Sequence, residues 1–361
     1  MNRQCAWSES LDGATVLVTG GAGLVGSRIC RDLRAAGARP LVLCSRDAYP
    51  AEVYRDLFDV RSEEVETGDI RDAALVRGLV ARSDAVVHAA ALADVAACTR
   101  RPQDAIDVNI AGTQAVLDAV AACDRPRRLV FVSSASVYGH GEISPAHRTT
   151  AELLREVHGR SAPAFHEDMP LKPTSAYGNT KAWGEQQTRL QLDEAARSWS
   201  VVRYFSVYGQ PQVIKPGSHS WVVAWFAAHA SCGMPLHLNG GGQQVRDFVH
   251  VDDIAQGTLR ALSVPGAHRQ VINIGTGRAT TIRRIAELVM QFYPGTTLTE
   301  APLPVGDPMG GYASTHRMTS TLAWQPSVTV EDGVRHYVQW LQAHPQAVPN
   351  WLRTDTGYAC I

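Results

Sequence analysis

The stretch Thr19-Gly20-Gly21-Ala22-Gly23-Leu24-Val25-Gly26 limits what this chain can fold into more than any other. Gly20, Gly23 and Gly26 have GxxGxxG spacing. They separate a short apolar run, Ala14 to Thr19, from a segment of helical apolar spacing, Leu24 to Ala36. Glycines at such a strand-to-helix turn permit a tight bend, let a pyrophosphate approach the backbone, and let helix and strand pack closely. The helix N-terminus then faces the phosphate charge. A glycine-rich turn without a ligand has the same composition, but its place after the first strand of a βαβ pattern favours dinucleotide binding, with Leu24 and Val25 in the first helical turn.

Strand-like and helical segments keep alternating beyond the loop. Pro40 to Cys44, Glu64 to Thr67, Ala85 to Ala89, Arg128 to Ser133, Ser200 to Phe205 and Val271 to Ile274 read as buried strands. Helical spacing falls near Ala73 to Val80, Asn109 to Ala122, Ala176 to Ser198 and Thr281 to Phe292. The pattern predicts an α/β fold: a Rossmann-type doubly wound parallel sheet with a smaller, discontinuous substrate-binding lobe. Residues 1–207, with a return strand near 270–277, are expected to bind the dinucleotide, and residues 208–269 and 278–361 to form the lobe. Gly141 to Pro173 breaks the rhythm and reads as a long loop with a helical patch, Thr150 to Val157. The tail after Val348 reads as frayed.

The end of the second strand bears on the cofactor. An acidic residue usually holds the ribose 2′-hydroxyl of NAD there. Here the strand ends Leu43-Cys44 and continues Ser45-Arg46-Asp47. Ser45 can donate to a 2′-phosphate and Arg46 can pair with it, which favours NADP(H). If the strand ends later, Asp47 holds the hydroxyl and the cofactor is NAD.

Tyr177 and Lys181 form a YxxxK pair on one face of a helix. A phenol titrates near 10, and an ammonium one turn away favours its ionised form, so the pair can move a proton at a carbinol or carbonyl. Ser134, at the end of the fifth strand, can hydrogen-bond the reacting oxygen. A chance helical pair is the bland alternative for YxxxK alone.

Together these residues resemble the extended short-chain dehydrogenase/reductase family, in its group of nucleotide-sugar epimerases, dehydratases and ketoreductases. The markers are TGGAGLVG, Gly68-Asp69-Ile70, HAAA at His88 to Ala91, Asn109 with Gly112-Thr113, SSASVYG, YGNTK, RYFSVYG, RDFVHVDD at Arg246 to Asp253, and NIGTG at Asn273 to Gly277. The resemblance implies that Asp69 and Ile70 flank the adenine, that Ala89, Ala90 and Ala91 line the cofactor with Asn109, Ser133 and Tyr204, and that Lys181 also holds the nicotinamide ribose. It implies a substrate site containing Ser134, Ser206, Arg246 and Asp307, with Arg246 gripping the diphosphate. A pairing of Arg246 with Asp247, Asp252 or Asp253 is the structural alternative. It also implies a homodimer through the helices near Asn109 to Ala122 and Ala176 to Ser198.

Departures from the family pattern bear on the reaction. Ser206 stands where an asparagine is usual, Ser314 where an aspartate is common, and Ala176 where proline is frequent. The dehydratases carry an Asp-Glu pair where this chain has Ala135-Ser136, which argues against elimination. The Ser45-Arg46 pair favours an NADPH-dependent reductase of the C4 ketone of a 4-keto-6-deoxyhexose on a nucleoside diphosphate, with dTDP the expected carrier. An NAD-dependent 4-epimerase is the alternative, and a non-catalytic dinucleotide sensor is disfavoured by the intact trio. His140, His147, His158 and His166 cluster near the long loop, either solvated or supplying a second acid. They show no metal spacing, so no metal is expected. With 34 Lys+Arg against 35 Asp+Glu, the net charge is -1, and no basic stripe marks a nucleic-acid or membrane surface. Seven scattered cysteines without a CxxC pair, and no signal-peptide core or long apolar run, suit a cytoplasmic protein.

Overall fold

The computed structural model describes residues 11–58, 60–126, 128–140, 164–217, 221–302 and 310–354. One parallel sheet organises the molecule. Its strands are β1 (Thr15–Thr19), β2 (Arg39–Cys44), β3 (Val65–Thr67), β4 (Ala85–His88), β5 (Leu129–Ser134), β6 (Trp199–Tyr204) and β7 (Gln270–Ile274). Their order across the sheet is β7-β6-β5-β4-β1-β2-β3. The chain winds outward from β1 to β3 and returns to lay β4 against the other side of β1, with Val16 beside both Pro40 and Ala85. That reversal opens a crevice at the carboxyl ends of β1 and β4, where ligands of such sheets bind.

Both faces of the sheet are covered, which is why its strands read as continuous apolar runs. The principal helices are α1 (Leu24–Ala35), α2 (Ala73–Ala81), α3 (Val95–Arg100), α4 (Gly112–Ala121), α5 (Ala176–Glu194) and α6 (Val251–Ser263). Val16 and Val18 point to one face and join Ile29 and Leu33 of α1 and Ile254 and Leu259 of α6. Leu17 points to the other and joins Val76, Leu79, Leu117 and Phe131. A separate apolar core, with Phe226, Leu238, Ile285, Val289, Tyr337 and Leu341, holds the second lobe. Among the described residues its strands are short and pair in twos, such as Ser206–Tyr208 with Phe248–His250.

The structure differs from the sequence reading at several places. Residues 251–263, expected in the lobe, form α6 and pack on α1 within the core of the sheet. The helix expected to begin at Asn109 is preceded by a π-helical turn, Ile106–Ala111. The tail past Val348 is not frayed throughout: Asn350–Thr354 is helical, because Leu352 is buried and Trp351 packs against the lobe core. An unforeseen helix, Ala51–Asp56, places Tyr54 beside the end of β2. The Thr150 to Val157 patch, His147, His158 and Asp307 lie outside the described residues. Among the described residues, no helix is long and apolar enough to cross a membrane.

Candidate active site

The glycine turn forms a cradle that no side chain could share. Gly20 has φ +72, and a Cβ there would come within 2.9 Å of the Ala90 backbone. A Cβ on Gly26 would lie 2.3 Å from the Gly20 carbonyl oxygen. The Gly20 amide donates to Leu43 O at 2.7 Å, which ties the turn to β2. Gly23 opens α1 without a side-chain cap, so the amides of Leu24, Val25 and Gly26 lack intrahelical acceptors. A bare helix start beside glycine backbone fits an anionic pyrophosphate.

At the ribose end, β2 stops at Cys44, and the next three residues are arranged differently from the expectation. The Ser45 hydroxyl donates to the Asp47 carboxylate at 2.6 Å, so the proton expected to serve a 2′-phosphate is committed to Asp47. Arg46 adopts φ +57, and its guanidinium lies 5.4 Å from the Tyr54 ring centroid. Asp69, expected to flank the adenine, is paired with Arg71, whose hydrogen bonds hold its carboxyl below the usual range. Ile70 is buried under Gly112.

The other wall is built from β4 and the loop beyond it. His88 is buried between Thr19 Oγ1, at 2.8 Å, and Thr113 Oγ1, at 2.9 Å. Burial, and then the charge of Lys181, depress its pKa to about 3. The Ala90 amide donates to Thr19 Oγ1 at 3.2 Å, which sets Ala89 to Ala91 against the glycine turn. Asn109, expected to touch the cofactor, is spent on the chain itself. Its amide group accepts from Leu92 N at 2.7 Å and donates to Leu92 O and Thr180 Oγ1. It pins the loop after β4 to α5.

Ser134, Tyr177 and Lys181, the trio expected to be catalytic, come together at the carboxyl end of β5. Ser175 caps α5 by accepting from Gly178 N, which fixes the first turn and with it Tyr177. Burial pushes the Tyr177 phenol up to about 12, and the neighbouring Ser134 side chain opposes that rise. Ser134 Oγ accepts from the Ser136 amide at 3.1 Å. Lys181 donates to Val132 O at 2.9 Å, and its ammonium lies 5.9 Å from the Tyr177 ring centroid. Burial lowers its pKa to about 8. Burial is the largest influence on both groups, raising the phenol and lowering the ammonium.

Behind the trio lies a buried polar network that the motifs did not reveal. Arg203 on β6 binds Glu185 on α5 through both carboxylate oxygens, at 2.9 and 2.6 Å. Ser133, expected at the cofactor, instead turns its hydroxyl onto Glu185. Arg203 also donates to Tyr138 Oη, and Tyr138 donates to Asn273 on β7 at 2.7 Å. Tyr204, another expected cofactor contact, has its hydroxyl bonded to Thr258 of α6 at 2.6 Å. One signal was available for the network: a charge inside the apolar run SVVRYF needs a buried partner. Glu185, one helical turn past Lys181, is that partner.

Ser206 and Arg246, expected at the substrate, lie in the short strands Ser206–Tyr208 and Val245–Arg246. The Ser206 amide donates to Asp247 O at 2.9 Å. The carboxylates proposed as alternatives for Arg246 are committed elsewhere. Asp247 accepts from the amides of Thr276, Gly277 and Ala313. Asp252 pairs with Arg31, and Asp253 accepts from Ser327 and Val328.

Comparison with known proteins agrees with this geometry. The model of the NAD dependent epimerase/dehydratase family matches residues 16–275. The chain is 28% identical over 360 residues to a UDP-glucose 4-epimerase of Yersinia pestis, covering 93% of this chain and 99% of that one. It is 26% identical over 354 residues to a dTDP-L-rhamnose 4-epimerase of Burkholderia thailandensis, covering 92% and 96%. Among solved structures, the UDP-glucose 4-epimerase of Thermus thermophilus in complex with NAD is similar with a TM-score of 0.76 at 28% identity, covering 91% of this chain and 99% of that one.

Proposed function

Because the chain belongs to the NAD-dependent epimerase/dehydratase family, we propose that it moves a hydride reversibly at C4 of a nucleoside-diphosphate hexose and inverts that centre, as a 4-epimerase. The observation that carries this reading is the placement of Tyr177, Ser134 and Lys181 at the carboxyl end of β5, beside the glycine cradle. A bound nicotinamide supplies the hydride acceptor and donor. Tyr177 exchanges the proton at the C4 oxygen, Ser134 orients that oxygen, and Lys181 is the buried cation that favours the tyrosine's ionised form. Ala135 and Ser136 put no carboxylate where elimination of water would need one.

Two further observations favour the epimerase over the reductase expected from the sequence. The Yersinia and Burkholderia relatives carry 4-epimerase names, one with a UDP-sugar and one with a dTDP-sugar. The Ser45 proton is held by Asp47, which also puts a carboxylate near the end of β2, where NAD enzymes use one. The reductase stands as the second reading because Cys44 leaves the strand end itself without a carboxylate, and Arg46 is placed to meet a 2′-phosphate. Incubation with NAD and UDP- or dTDP-hexoses separates the two. Epimerisation without net change in reduced nicotinamide supports the first reading. NADPH oxidation with a 4-keto-6-deoxyhexose nucleotide supports the second. A homodimer through α4 and α5 belongs to the same reading, since Leu190 on α5 is 69% exposed. Analytical ultracentrifugation of the Leu190→Glu variant tests it, with a monomer expected.

A further inference from the structure

The segment Gly209 to Gly217 is tied to helices on both sides of the dinucleotide crevice. At one end, Arg28 of α1 donates to Gln210 O at 3.2 and 2.8 Å. At the other, Arg100 of α3 donates to Gly217 O at 3.1 Å. Between these anchors, Tyr337 donates to Gln212 O at 2.6 Å and fixes the middle to the lobe. Since α1 follows β1 and α3 follows β4, the segment spans the two strands between which the sheet reverses.

Lys215 lies on this strap. Its ammonium stands 4.2 Å from the Tyr49 ring centroid and 5.7 Å from that of Trp221. Burial lowers its pKa, while the charges of Asp94 and Asp47 act at Coulomb range to raise it. Among the described residues it hydrogen-bonds to neither carboxylate. Tyr49 locates it: its ring packs in one apolar cluster with Ala22 and Leu24 of the glycine turn, so the ammonium over that ring stands on the side of the turn. The turn itself offers only backbone amides to a phosphate, and Arg28, the nearest cation on α1, is committed to Gln210 O and Asp252.

We propose that Lys215 binds a phosphate group of the dinucleotide, closing the glycine cradle from the lobe side. A half-buried ammonium held on two aromatic rings, with no hydrogen-bonded anion among the described residues, is a preorganised point charge for such a group. The group is either the pyrophosphate, common to NAD and NADP, or the 2′-phosphate of NADP. The proposal rests on dinucleotide binding and not on the chemistry at C4.

Fluorescence or calorimetric titration of the substrate-free protein with NAD and NADP tests it. Lys215→Met is expected to weaken binding about ten- to a hundred-fold, and Lys215→Arg to retain most of it. Equal loss for both dinucleotides assigns the pyrophosphate; loss confined to NADP assigns the 2′-phosphate. The melting temperature without ligand shows whether each variant is folded, and Lys215→Gln serves if Lys215→Met is not. Unchanged affinity for both dinucleotides in a folded uncharged variant overturns the proposal, as does equal loss in the Arg and Met variants. A wild-type protein that binds neither dinucleotide would instead reject the reading of the glycine turn.

Discussion

The carboxyl edge of the sheet and the second lobe build their parts of the site by different means. At the sheet edge the backbone does most of the shaping: β1 pairs along its length with β2, and Gly20 and Gly26 leave room that no side chain could share. In the lobe the strands are two to four residues long, and order depends on side chains such as Asp247, which gathers three backbone amides from two distant loops. Backbone-built sites leave a spacing in the sequence, whereas side-chain-built sites leave only isolated polar residues whose partners are far away along the chain.

That difference orders the effects of substitution. Gly26→Val should be the most damaging, since its side chain would collide with the Gly20 carbonyl; no dinucleotide binding is expected in a titration, even where circular dichroism shows a folded chain. Tyr177→Phe should lower kcat by about 10²- to 10⁴-fold while leaving the dinucleotide dissociation constant near that of the wild type. Glu185→Gln strips the charge partner from buried Arg203 and should cost about 3–5 kcal/mol in urea unfolding. On the lobe side, Arg246→Ala should raise KM for the nucleotide sugar about ten- to a hundred-fold with a smaller change in kcat. Loss of cofactor affinity in that variant would break the division of labour between the two regions.

The smallest effect at neutral pH concerns two buried histidines. His88, in the sheet, has its pKa lowered to about 3, and His250, at the start of α6, to about 4, both chiefly by burial. Folded values below the ordinary 6.5 mean that the unfolded chain takes up protons first as the pH falls. Stability should therefore decline below about pH 6.5, by about 1.4 kcal/mol per pH unit for each histidine, until the folded values are reached. A shallower acid limb for His88→Asn in urea titrations checks this.

What could be read from the sequence obeys the same division. Strands β1, β2, β4, β5 and β6 fall within a residue or so of their expected limits, because buried parallel strands are apolar runs bounded by turns. The shared helix face of Tyr177 and Lys181 was legible because residues four apart in a helix lie one above the other. Helix α6 was not, since its apolar face meets α1 from more than two hundred residues away. The side-chain partners of Asn109, Ser133 and Tyr204 were equally hidden, because each is brought near only by folding. At Ser45, a two-residue hydrogen bond to Asp47 changed the reading of the cofactor.

The most direct test of C4 hydride transfer uses UDP- and dTDP-hexoses carrying deuterium at C4, incubated with the wild-type protein and NAD and monitored by proton NMR. The expected result is a C4 epimer that keeps its deuterium, with no net accumulation of reduced nicotinamide and turnover by Tyr177→Phe lower by about 10²- to 10⁴-fold. An epimer whose C4 deuterium has exchanged with solvent, or equal turnover by Tyr177→Phe, would contradict it.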